Sequence, residues 1–168
     1  MTLSDTDFSN LTYPQPSPLI FDKMLWTDWY DGVISGLVMQ TEIAKAFRLD
    51  ILAWDARQTR RIFALSPFEV RRFDEVVALL NESGPPTWPT WDPRWPLNKG
   101  ETEALHSRLE RLLRSAGDPE YVISSEARFE EIFAMKELNA SSRELLPSEF
   151  AGLNSLGDFD YWANYLEP

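Results

Sequence analysis

The stretch AFRLDILAWD, residues 46 to 55, alternates Phe47, Leu49, Ile51 and Ala53 with Arg48, Asp50, Leu52 and Trp54. Successive side chains of a strand point to opposite faces, so a period of two specifies a strand with one face on a core. The other face, with Leu52 and Trp54, is half apolar too. Ahead of it, Val33 to Met39 is rich in β-forming residues and follows the turn signal Asp31-Gly32; behind it, RIFALS, residues 61 to 66, follows the polar turn Ala56 to Thr59. Residues 32 to 66 therefore predict an antiparallel meander whose first strand begins near Val33. Gly36 inside that strand marks a bulge or a close neighbour, because a strand glycine has no side chain to pack.

The next signal is helical. SPFE predicts a helix over 66–82, with Ser66 as N-cap, Pro67 at the first helical position and Glu69 completing a capping box. Phe68, Phe73, Val76, Val77 and Leu80 share one face, and Gly84, Pro85 and Pro86 end the element. A second helix is predicted over 98–116, where Asn98 and Glu101 have capping-box spacing. Leu105, Leu109, Leu112, Leu113 and Ala116 are apolar there, and Gly117 and Pro119 terminate the run. Tyr121 to Ser124 reads as a strand, followed by a helix with Phe129, Ile132, Phe133 and Leu138 on one face; a longer strand through Phe129 is the alternative. Phe159, Trp162 and Leu166 fall on one side of a short terminal helix.

These elements predict an α+β fold: a small antiparallel β-meander of three or four strands packed with two to four helices. A chain of 168 residues is most economically one domain. Residues 18 to 168 are expected to form it, behind a flexible arm at 1–17 that ends in the alternation Pro14, Pro16, Pro18.

Charge and composition bound the function. With 16 basic and 27 acidic side chains, the net charge of -11 repels a polyanion, so nucleic acid is disfavoured as a partner. No cysteine is present, which removes thiol catalysis, Cys-ligated zinc and disulfides. The N-terminal residues lack a basic start and an apolar run, and no stretch approaches a membrane span, so a soluble, cytoplasmic protein is expected.

Four groups of residues invite a chemical reading. TWPTWDPRWP, residues 87 to 96, places Trp88, Trp91 and Trp95 among prolines that forbid a helix, since each would remove a backbone hydrogen bond and clash with the preceding turn. Three indoles on an extended strap either clamp helices to a sheet, which we favour, or form a stacking platform for a sugar, base or peptide, with Tyr30 and Asp31 supplying a nearby carboxylate turn. His106, the single histidine, has Glu103 and Glu110 at helical spacing. Without a second copy of this arrangement a di-metal site cannot be built, so a helix-face pairing explains it and no metal or other cofactor is expected. The acid pairs Asp28/Asp31, Asp50/Asp55 and Asp158/Asp160 have the chemistry of a general acid and base, but close carboxylates are expected by chance in so acidic a chain. Arg57, Arg60, Arg61, Arg71 and Arg72 form a basic island in the sequence, with Arg71 and Arg72 as candidate phosphate or anion ligands. The simpler reading is a solvated turn and helix face. The acidic tail after Arg143 could neutralise the island, within one molecule or across a homodimer.

DWYDGVISGLV, residues 28 to 38, resembles a group of uncharacterised bacterial proteins whose recurring element is Trp/Tyr-Tyr-Asp-Gly-Pro-x-Ser-Gly before a β-meander. Tyr30, Asp31, Gly32, Ser35 and Gly36 match that motif, while Val33 stands where the group has proline and residues 41 to 45 lack the usual hairpin glycine. The aromatic strap and Leu-rich helix extend the likeness over residues 20 to 115. The resemblance implies a meander and no particular activity. The charge and the missing catalytic signatures lead us to expect a non-catalytic, acidic protein-binding module, an accessory subunit or an inhibitor or immunity-type binder with a basic protein as partner. A small-ligand binder or enzyme built on the tryptophan strap and a carboxylate pair is the alternative.

Overall fold

The computed structural model describes residues 17–18, 20–29, 33–55, 60–82, 99–125, 144–145 and 153–166. Eight strands form one antiparallel sheet: β1 (Ser17–Pro18), β2 (Lys23–Trp29), β3 (Val33–Gln40), β4 (Lys45–Asp55), β5 (Arg60–Phe68), β6 (Tyr121–Ser125), β7 (Glu144–Leu145) and β8 (Leu153–Asp158). Among the described residues three helices accompany it: α1 (Val70–Glu82), α2 (Lys99–Leu113) and α3 (Phe159–Leu166). The strand order is β1-β8-β6-β5-β4-β3-β2-β7. The fold is α+β as expected, but the sheet exceeds the predicted three or four strands.

Chain length dictates the shape of this sheet. Pro18 pairs with Asn154 of β8 and Lys23 with Met39 of β3, yet the two are only five positions apart in the chain. Five residues reach ~18 Å at most. In a flat sheet of this order β1 and β2 would stand six spacings of ~4.8 Å apart, about 29 Å. The sheet therefore curls until its margins meet, and one stretch of chain, β1 running into β2, joins both sides of the seam. Across the seam β1 pairs with β8 and β2 with β7, so the six longer strands close into a ring.

Ring closure explains why both faces are buried. Met24, Trp26, Val38, Phe47, Leu49, Phe63, Leu65 and Ile123 pack into one cluster made only of strand residues and Phe21. Outside the ring, Leu25, Leu37, Met39, Ala46 and Phe68 meet Phe73, Val76 and Leu80 of α1 and Leu105, Leu109 and Leu113 of α2. Further round, Ala53, Ile62, Val122 and Leu156 receive Trp162 of α3, whose indole N–H donates to the Leu156 carbonyl at 3.1 Å. Burying an indole while leaving its N–H unpaired would cost much of the gain, and this bond avoids that.

Irregularities in the ladders bend the strands. Register shifts fall between Trp26 and Trp29, between Ile51 and Ala53, and between Val122 and Ile123. Extra residues of this kind raise local twist and curvature, which a closed ring requires. The second shift corrects the predicted alternation: Phe47, Leu49 and Ile51 face inward, but Ala53 has crossed to the outer face beneath α3. Beside the first shift, a Cβ on Gly36 would lie 2.5 Å from the Leu25 carbonyl oxygen, so the glycine answers a close backbone neighbour as its position implied.

Two further expectations are corrected. The sheet's second strand, β2, precedes the predicted first strand at Val33; its apolar run was masked by Asp28 and the uncertain period of KMLWTDW. Ser66 does not cap α1, because Ser66 and Pro67 are strand residues paired with Arg48 and Phe47. Glu69 starts the helix instead, its carbonyl accepting from the backbone N–H of Arg72 at 2.9 Å and Phe73 at 3.2 Å. Three ladder pairs and a buried Phe68 outweigh a cap worth about 1 kcal/mol. Proline is tolerated because the β5–β6 ladder ends at the pair Leu65–Tyr121, before Pro67. Helix α2 falls where the sequence places it, and Tyr121 to Ser125 is the predicted strand; the reading of residues 126 to 138 lies outside the described residues, as does most of the N-terminal arm.

Candidate functional site

Antiparallel strands give the ring two unlike ends. At one end β2, β4 and β6 finish and β3, β5 and β8 begin. Arg61, only 3% exposed, lies here, and its Nη1 donates to the Val33 carbonyl at 2.9 Å. Arg61 stands opposite Ser125 in the β5–β6 ladder, and Ser125 is buried as well. Arg61 is the one buried charged side chain among the described residues.

Chemistry at the opposite end is turned outward. Asp22 Oδ1 accepts the Thr41 backbone N–H at 2.8 Å, and Gln40 Nε2 donates to the Ile20 carbonyl at 2.9 Å, so the chain entering β2 is laced to the β3–β4 turn. The hydrogen bonds from Thr41 hold the Asp22 carboxyl below its ordinary value of 3.8, with nearby Lys23 adding a smaller effect in the same direction. That turn closes with the Ala44 N–H on the Thr41 carbonyl at 3.1 Å and places Ala44 at φ 49°, a conformation that disfavours a side chain. At this end Phe47 meets Phe21 and Tyr121 edge to face, at centroid distances of 6.3 and 6.2 Å.

Large apolar side chains are exposed at this same end of the strands: Ile20 at 81%, just before β2, Ile43 at 56%, in the β3–β4 turn, and Tyr121 at 39%, at the start of β6. Tyr161, on the first turn of α3, is exposed too. The carboxylates of Asp22, Glu42, Glu120 and Asp158 stand exposed at the same strand ends, with Lys23 and Lys45 as the neighbouring strand cations. Glu120 is fixed by its backbone, whose N–H donates to Leu65 at 2.8 Å and whose carbonyl accepts from Phe159 at 3.0 Å. Isolated exposed aliphatics are ordinary, but a group of them rimmed by charge is the usual form of a binding surface.

The residues singled out from the sequence are distributed differently. Trp88, Trp91, Trp95, Tyr30 and Asp31 lie outside the described residues. Arg71 and Arg72 are on α1, where Arg71 Nε is 3.5 Å from Glu75 Oε1 and Arg72 Nε is 3.1 Å from Glu69 Oε2. Arg61 is buried at the far end of β5, so it does not converge with them. Asp50 is held by Arg48: Nη2 donates to Oδ1 at 2.7 Å, and Oδ2 is 2.7 Å from Nε but off its hydrogen-bond axis. Arg48 also donates from Nη1 to the Leu113 carbonyl at 3.0 Å, tying the C-terminal end of α2 to the sheet. His106 Nε2 lies 3.1 Å from Glu110 Oε1 on the surface of α2.

Ile20, Ile43 and Tyr121 carried no chemical motif, and the sequence reading passed over the first two. The available signal was an isoleucine at position 43 inside QTEIAK, a polar turn between two strands with no core to enter. No helix among the described residues is long and apolar enough to cross a membrane. Comparison with protein-family models, with curated proteins and with solved structures finds no match to this chain.

Proposed function

We propose that this chain is a non-catalytic interaction module that offers an acidic surface to a basic protein. The distribution of charge carries the reading. Net charge is -11, and Arg48, Arg71, Arg72 and Arg114 each face a carboxylate two to four residues away in the chain while Arg61 is drawn into the ring. Surface pairs of this kind add only about 0–1 kcal/mol each to stability, but they mute the cations and leave the excess of acids to shape the outer field. Such a field accelerates encounter with basic proteins and turns away polyanions.

Titration of the purified chain against a panel of basic globular proteins tests this. A saturable complex of fixed stoichiometry is expected with at least one of them, weakening about tenfold or more between low salt and ~0.3 M salt as the Debye length contracts. Failure to saturate with every basic protein, at every ionic strength, would remove the reading.

A further inference from the structure

From the same geometry we infer that docking occurs at the outward-facing end of the ring, over Ile20, Ile43 and Tyr121, and that the occupant is a basic segment with aliphatic side chains beside its cations; this rests on the interaction reading above. The apolar centre requires an apolar contact, because Ile20 and Ile43 gain nothing from a purely ionic partner. The rim selects its charge. Four carboxylates, of Asp22, Glu42, Glu120 and Asp158, outnumber Lys23 and Lys45 there, so two copies face to face would set one net negative rim against another, whereas Lys or Arg of a partner meets an excess of carboxylates. Tyr121, whose ring meets that of Phe47 at an interplanar angle of 77°, adds an aromatic surface against which a guanidinium can rest.

The surface is framed before any partner arrives. Gln40 and Thr41 pin residues 20 and 22, and the Thr41–Ala44 bond closes the turn that carries Ile43. A partner therefore meets side chains on a ring end already ordered by hydrogen bonds, which lowers the entropy lost on docking.

A short fluorescein-labelled peptide of Arg, Lys, Leu and Ile, with a Glu and Asp counterpart, reads this by fluorescence anisotropy on the full chain. The basic peptide should bind in a salt-sensitive manner and the acidic one should not. Ile20→Ser combined with Ile43→Ser should weaken binding about tenfold while leaving Tm in place. Glu42→Lys should weaken it about fivefold, and Asp74→Lys, the same change of charge on the solvent side of α1, by about twofold at most. If the peptide binds but the Ile20/Ile43 and Glu42 variants match the wild type, the docking surface is elsewhere and this inference falls while the interaction module stands. If the wild type shows no salt-sensitive binding to the peptide or to any basic protein, both fall. A concentration-dependent dimer dissolved by the double serine variant would assign the surface to a second copy and overturn the choice of occupant.

Discussion

The two ends of the ring handle charge and apolar surface in opposite ways. At the end of β2 and start of β3, a guanidinium is drawn inside and donates to the Val33 carbonyl. At the β3–β4 end, isoleucines are left outside and carboxylates surround them. Burying an ion is tolerable only when its hydrogen bonds are made, so Arg61 acts as a structural pin. Exposing Ile20 and Ile43 contributes nothing to folding, and that is the end where we propose docking.

Arg61→Met should give the largest effect, because it strips a donor from the buried Val33 carbonyl; we expect a loss of about 2–3 kcal/mol in a urea unfolding experiment. A change under about 0.5 kcal/mol would erase the contrast between a pinned end and a free one. Ala44→Gly addresses the open end and has the opposite sign. Relief of the positive φ should exceed the added freedom of the unfolded chain and stabilise by about 0.5–1 kcal/mol, seen as a raised urea midpoint. The smallest effect concerns Asp22. Its folded-state value lies below the unfolded one, so its contribution is present above pH ~4 and fades as pH falls through the lowered value. Unfolding midpoints of wild type and Asp22→Asn should differ at pH ~6 and converge at pH ~3; a gap that persists in acid would mean that the Thr41 bond does not depend on the carboxylate's charge.

Local order was legible in the chain and closure was not. Residues 33 to 65 announce their strands by β-formers and alternation, and α2 by leucines at helical spacing, because these are short-range properties of sequence. By contrast β8, LNSLGD, contains Asn154, Gly157 and Asp158, which read as turn residues, and Gly157 adopts φ 120°. It is a strand because β6 and β1 flank it on both sides. Ser66-Pro67 carried a sound helix-start signal that pairing with β4 overrode. The candidate site suffered similarly: Ile20 and Ile43 are far apart in sequence and belong to no pattern, and it is the β2–β3 pairing with the bonds of Gln40 and Thr41 that brings their segments together. Net charge, in contrast, needed no structure to be read.

A seam between β1 and β8 has a consequence for biosynthesis. The first strand of the ring cannot find its mate until Asn154 and Ser155 have left the ribosome, more than a hundred residues after Ser17 and Pro18. Until then the nascent meander carries open margins and an uncovered apolar lining, so the sheet should close late and slowly, only once β8 has emerged.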